Sequence, residues 1–268
     1  MTDNLYKNTE MMNKLDEFLL DIQKPARYIG GEVGSVIKDK SKVDVRFAFC
    51  FPDTYEIGMS HLGMKILYGL KNAVPNYWCE RVFMPLPDME EQMHRRGIPL
   101  YALESLDPIR EFDFIGFTIQ YELCYTTILE MLDLAGLPVL AEERNELTPL
   151  VVAGGPCVCN AEPLCDFIDL FIIGDGEEIN LELMRLMERC KKENVSKREF
   201  LERAAQLEGI YVPSFYDVEY NEDGTVKAIT AQEPAPKTVT KRIVHDLDKA
   251  YFPDSFVVPF CDIVHNRA

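Results

Sequence analysis

The sequence predicts an α/β protein: a five-stranded parallel sheet with helices on both faces, an N-terminal helix before it, and a β-hairpin and linker after it. Three observations lead there. From Val43 onward, short apolar runs end in turn residues and give way to helical periodicity, the alternation of a parallel sheet covered on both faces. Glycine-rich loops follow two of those runs, at Gly154-Gly155-Pro156 and Gly174-Asp175-Gly176. The chain has 268 residues and is 47% hydrophobic, enough to bury a full core.

The first element is a helix over Leu5 to Ile22, where Met11, Leu15, Phe18, Leu19 and Ile22 recur at amphipathic spacing and Pro25 stops the run. A glycine-rich connector follows at Tyr28-Ile29-Gly30-Gly31-Glu32-Val33-Gly34, and Lys38-Asp39-Lys40 turns into the first strand. Strands are expected at Val43 to Cys50, Trp78 to Phe83, Phe112 to Thr118, Leu150 to Ala153 and Leu170 to Ile173. Helices are expected at Ile57 to Asn72, Pro87 to Arg96, Tyr121 to Ala135, Glu177 to Glu193 and Lys197 to Leu207. Five strands in this alternation carry a Rossmann-like, flavodoxin-like order, 2-1-3-4-5, as the prior. Beyond them, Phe215 to Tyr220 and Val226 to Ala231 flank Asn221-Glu222-Asp223-Gly224-Thr225, a hairpin signal. Glu233-Pro234-Ala235-Pro236-Lys237 then reads as an exposed linker. The expected division is 1–40 for helix and connector, 41–212 for the Rossmann-like domain, and 213–268 for the hairpin and a proline-punctuated tail that stops in mid-element.

Lys and Arg total 28 against 45 Asp and Glu, a formal charge of -17, which opposes the basic footprint of a domain that grips nucleic acid by itself. No apolar run approaches the roughly 20 residues of a membrane span, and Asp3, Lys7 and Glu10 interrupt any signal-peptide core, so a cytoplasmic location is expected. The eight cysteines (Cys50, Cys79, Cys124, Cys157, Cys159, Cys165, Cys190 and Cys261) are scattered through apolar stretches and read as free thiols of a reduced compartment, with Cys157, Cys159 and Cys165 expected to be buried. Cys157-Val158-Cys159 with Cys165 has no standard zinc or cluster spacing, and no metal set is assigned.

In an open parallel sheet, ligands sit beyond the carboxyl ends of the strands, which directs attention to four loops. Phe51-Pro52-Asp53-Thr54-Tyr55-Glu56-Ile57-Gly58 lacks the G-x-G-x-x-G of a dinucleotide site, and Asp53 or Thr54 serves as an N-cap there. His61 lies just beyond, on what reads as a helix face, with no carboxylate placed to orient it. Thr118 and Gln120 either offer hydrogen bonds to a polar ligand or enter the next helix. Gly154-Gly155-Pro156 either lets a ligand approach the backbone or makes a sharp turn, and Asp175 with Glu178 forms a capping box. No nucleophile elbow or P-loop is present, and no catalytic residue is assigned.

Taken together, Pro52 to Ser60, Leu62-Gly63, Gly116-Phe117-Thr118, Val151 to Pro156 and Asp169 to Glu177, with Tyr28 to Glu32, resemble the N-terminal cobalamin-binding-like domain of radical SAM proteins. In particular, it resembles an uncharacterised bacterial family in which this domain precedes an elongator-protein-3-like radical SAM core. The resemblance implies an accessory domain that positions a corrinoid or substrate against a downstream core holding a [4Fe-4S] cluster and S-adenosylmethionine. The C-x(3)-C-x(2)-C loop of such a core does not occur among the eight cysteines, so the radical chemistry is expected from sequence beyond this chain. The D-x-H-x-x-G motif of cobalamin domains that ligate cobalt is also missing, since Met59 precedes His61 where an Asp belongs.

The resemblance places cofactor contacts at Thr54, Thr118, Gln120, Tyr121, Gly154, Gly155, Pro156, Gly174, Gly176 and Glu177. The implied partners are the protein's own radical SAM core and, through the full-length protein, an RNA or protein substrate. The alternative is a domain that keeps the fold, has lost the cofactor, and serves in docking or substrate positioning. The two differ in whether the Gly154-Gly155 edge is open or filled by Met59, Phe117 and Tyr121.

Overall fold

Six strands form the main sheet: β1 (Val45–Phe51), β2 (Tyr77–Phe83), β3 (Phe114–Thr118), β4 (Leu150–Gly154), β5 (Leu170–Ile172) and β6 (Ile210–Tyr211). A separate hairpin pairs β7 (Tyr216–Tyr220) with β8 (Val226–Ala231). Among the described residues there are seven helices: α1 (Thr9–Asp16), α2 (Tyr55–Ser60), α3 (Leu62–Asn72), α4 (Pro87–Arg96), α5 (Tyr125–Leu134), α6 (Gly176–Glu193) and α7 (Lys197–Ala204). These come from a computed structural model that describes residues 6–258.

The sheet order is β2-β1-β3-β4-β5-β6, with the first five strands parallel and β6 antiparallel to β5. The expected count of five strands is therefore corrected to six. The sixth escapes a pattern reading because two residues, Ile210 and Tyr211, carry no periodicity. β1 and β2 are almost wholly buried along their length, the signature of strands covered on both faces.

α3 and α6 touch each other. The crossovers through α4 and α5 advance across the sheet in the direction opposite to the one through α3. Right-handed connections then set α4 and α5 on the other face. Helix ends follow local chemistry. α4 starts on Pro87 and stops at Gly97 with φ 62°, while Ser196 caps α7 by accepting the Glu199 N–H at 3.2 Å.

Three expected helices differ. The N-terminal one, whose expected first residue Leu5 lies outside the described residues, is described as Thr9–Asp16, followed by a 3₁₀ turn at Leu19–Asp21 that continues the same apolar stripe into the core. The one expected over 57–72 is two helices, broken at His61, whose φ and ψ of -81° and 118° are extended. The one expected from Tyr121 begins at Tyr125, after a 3₁₀ turn at Glu122–Cys124.

The connector is pinned by charge. Arg81 on β2, 1% exposed, donates to Glu32 at 2.9 and 2.7 Å and to Glu104 at 2.6 Å. Burial raises the Glu32 carboxyl pKa, but Arg81 outweighs it and holds the group at about 2. The extended tail that follows the 233–237 linker docks on the body of the protein. Arg242 pairs with Gly174, Tyr251 lies against Gly69, and Gly34 N–H donates to the Val257 carbonyl. The expected end of the tail, Ile263 to Ala268, lies outside the described residues. The seven described cysteines are free, and the expected burial of Cys157, Cys159 and Cys165 is corrected: Cys159 is exposed and the other two are half-buried. No helix among the described residues is long and apolar enough to cross a membrane.

Candidate functional site

A cavity of about 270 Å³ opens at the carboxyl edge of the sheet, between the strand ends and the face that carries α3 and α6. Its inner wall is apolar. Phe47 and Phe49 project from β1 on the same side of the pleat, and Ile66 and Leu67 of α3 face them with Ile172 of β5. Its mouth is polar, with His61, Thr118, Gln120, Asp175, Glu177 and Asn180. Gln120 donates to the Thr118 hydroxyl at 2.7 Å, and Asn180 donates to the Gly176 carbonyl at 2.7 Å, so the mouth is partly preorganised.

Eight of the ten residues expected at a ligand line this cavity: Thr118, Gln120, Gly154, Gly155, Pro156, Gly174, Gly176 and Glu177. Two do not. Thr54 opens α2 and faces a smaller space with Arg27, Tyr55 and Phe83. Tyr121 turns outward, 37% exposed, and donates its hydroxyl to Asp53, which pushes the phenol up to about 12.

The glycines divide into two kinds. Gly155 has φ 102°, and a Cβ there would meet the Ile119 carbonyl at 2.7 Å; Gly174 has φ 112°, and a Cβ would meet the Arg242 carbonyl at 2.1 Å. Both are required by the chain's own turns. Gly154 is different: a Cβ would meet nothing nearer than Ile172 at 3.7 Å, an ordinary contact, so no protein atom demands the glycine and its missing side chain leaves cavity space.

The capping-box reading of Asp175 and Glu178 is corrected. Asp175 stands at the N-cap of α6 but its side chain makes no cap bond; its Oδ2 accepts the Val244 N–H at 2.8 Å. Glu178 holds the Arg242 guanidinium at 2.6 Å, and Glu182 holds it at 2.7 Å. Both carboxylates were claimed by the returning tail, which a local pattern does not reveal.

His61 was read as a residue on a helix face. It is instead the junction of two helices, and its Nδ1 accepts the Met64 N–H at 3.1 Å as the cap of α3. Burial pushes the imidazole pKa below its ordinary value, against a hydrogen bond with Gln120 and aided by the charge of Lys65. The neutral ring with Nδ1 as acceptor carries its proton on Nε2. Phe47, Phe49, Ile66 and Leu67 were missed as cavity residues. The i, i+2 pairing of Phe47 with Phe49 was the available signal, but core and cavity walls look alike in sequence.

Residues 63–213, which include all of these strand ends after β1, match the family described as the N-terminal region of radical SAM proteins. The chain belongs to this family. Over 141 residues, 51% of the chain, it is 34% identical to an uncharacterized protein of Methanocaldococcus jannaschii, and the match spans 26% of that relative. The chain thus spans about a quarter of the curated relative's length. No solved structure matches it. For a radical SAM N-terminal domain, the geometry places one polar-mouthed cavity at the sheet edge where open α/β folds take their ligands.

Proposed function

We propose that this domain is the corrinoid-holding accessory module of a radical SAM enzyme, with the cavity receiving the nucleotide tail of cobalamin. The observation that carries the reading is the open space at Gly154: a cradle that a Cβ would narrow and that nothing in the protein needs left empty. A dry cavity of about 150 Å³ accommodates one benzene, so 270 Å³ has room for a bicyclic heteroaromatic base against Phe47, Phe49 and Leu67. Thr118, Gln120 and Asn180 stand at the mouth to bond the sugar and phosphate, and Gly154 lets the backbone approach. When bound, the corrinoid supplies cobalt-centred methyl-transfer chemistry to the core expected elsewhere in the full-length protein, where the [4Fe-4S] cluster and S-adenosylmethionine belong.

His61 does not ligate cobalt in this reading. A neutral imidazole offers one lone-pair nitrogen, and Met64 already occupies it. The contrasting reading, a cofactor-free docking domain, requires the edge to be filled. Instead Met59 is buried elsewhere and Tyr121 points outward, and of these three side chains Phe117 alone lines the cavity. The full-length substrate is proposed to be an RNA or protein held mainly outside this acidic domain. Incubating the purified chain with hydroxocobalamin, desalting it and recording the visible spectrum tests the proposal. Retained corrinoid near one equivalent is expected; a colourless protein overturns it.

A further inference from the structure

On the sheet face opposite the cavity, Glu90 and His94 stand one turn apart on α4 and meet Glu130 of α5. His94 Nε2 lies 3.5 Å from Glu130 Oε1 and 3.9 Å from Glu90 Oε1, and the three ligand atoms all fall within 4.8 Å of one another. Zinc takes imidazole nitrogen and carboxylate oxygen at about 2.0–2.2 Å, which in a tetrahedron sets ligand atoms about 3.3 Å apart. The observed spacing therefore needs only side-chain adjustment to close on an ion. Spacing of i, i+4 puts Glu90 and His94 on one helix face, and the helices are held firmly, with Met89, Met93, Ile128, Met131 and Leu132 buried beneath them.

Lys and Arg do not fill the gap: among the described residues, neither Glu90 nor Glu130 has an ion pair with one, although this chain pairs many of its surface carboxylates that way. Among the described residues, no cysteine joins a comparable group.

The geometry points to a divalent transition-metal site at Glu90, His94 and Glu130, with zinc as the representative ion and its fourth position open to water, clamping α4 to α5 on the face away from the cavity. It is independent of the corrinoid reading. Chelator-stripped full chain is dialysed against micromolar zinc and its metal content measured. One zinc per chain is expected. His94→Ala and Glu130→Gln each weaken it by more than about tenfold, while the double variant Cys157→Ser, Cys159→Ser retains it. Because these side chains are half-exposed, circular dichroism confirms that the variants fold. Cobalt(II) in place of zinc gives a spectrum of nitrogen and oxygen ligation without a thiolate charge-transfer band. No zinc uptake by the wild type, uptake unchanged in His94→Ala, or a thiolate band would each overturn the site.

Discussion

Lys71 is fully buried on α3 and its ammonium has no hydrogen-bond partner among the described residues. It rests on ring faces, 4.4 Å from the Phe47 centroid and 4.6 Å from that of Phe49, so the rings that wall the cavity on one side carry a cation. Burial pushes its pKa from 10.5 to about 8, with a smaller opposing pull from Cys79. The unfolded chain binds this proton more tightly than the folded one. The penalty is therefore complete below pH 8 and disappears as pH rises toward 10.5. Lys71→Met should stabilise the protein at pH 7 by roughly 1–3 kcal/mol, and urea unfolding should show that advantage shrinking at pH 10. An advantage independent of pH would mean that packing, not charge, sets it. Nothing in the sequence singled out Lys71, because a lysine in an amphipathic helix reads as solvated until the sheet beneath it is known.

At the scale of elements, the alternation of apolar runs and amphipathic stretches was enough to place β1 to β5, α4, α6 and α7, and the body of α5, since burial on both faces imposes that pattern locally. What local pattern does not carry is the return of distant chain. β6 exists because β5 has an open edge, α2 and α3 are separate because an imidazole caps the second, and Asp175 turns from capping α6 to holding Val244.

The docked tail is an element in its own right. Arg242 N–H donates to the Ile173 carbonyl at 2.9 Å, its carbonyl accepts from Asp175 at 3.0 Å, and its guanidinium meets Glu178 and Glu182. Gly174 and Asp175 therefore serve the cavity on one side and the tail on the other. Arg242→Ala removes the ion pairs and keeps the backbone bonds. Its cost of about 1 kcal/mol should speed amide exchange at Arg242 and Val244 roughly fivefold by mass spectrometry. Unchanged exchange would show that the backbone alone holds the tail. Gly174→Ala is the harsher change, because it adds a clash with the Arg242 carbonyl to a left-handed φ. It should lower stability by about 1–3 kcal/mol and free the same amides.

For the whole molecule, the edge of the sheet was legible because open α/β sheets bind ligands beyond their strand ends, and eight expected residues share one cavity there. The two that stand apart do so for different reasons: Thr54 lines a smaller space beside Arg27 and Phe83, and Tyr121 turns its hydroxyl to Asp53. We propose that the space at Gly154 is kept for a corrinoid. The most direct test of that claim is equilibrium dialysis of hydroxocobalamin against the wild type and Gly154→Leu side by side. The variant introduces no close contact at Cβ and should unfold with the wild type. Stoichiometric binding by the wild type that falls at least about tenfold in Gly154→Leu is the predicted result. Equal retention by both proteins, or by neither, would contradict it.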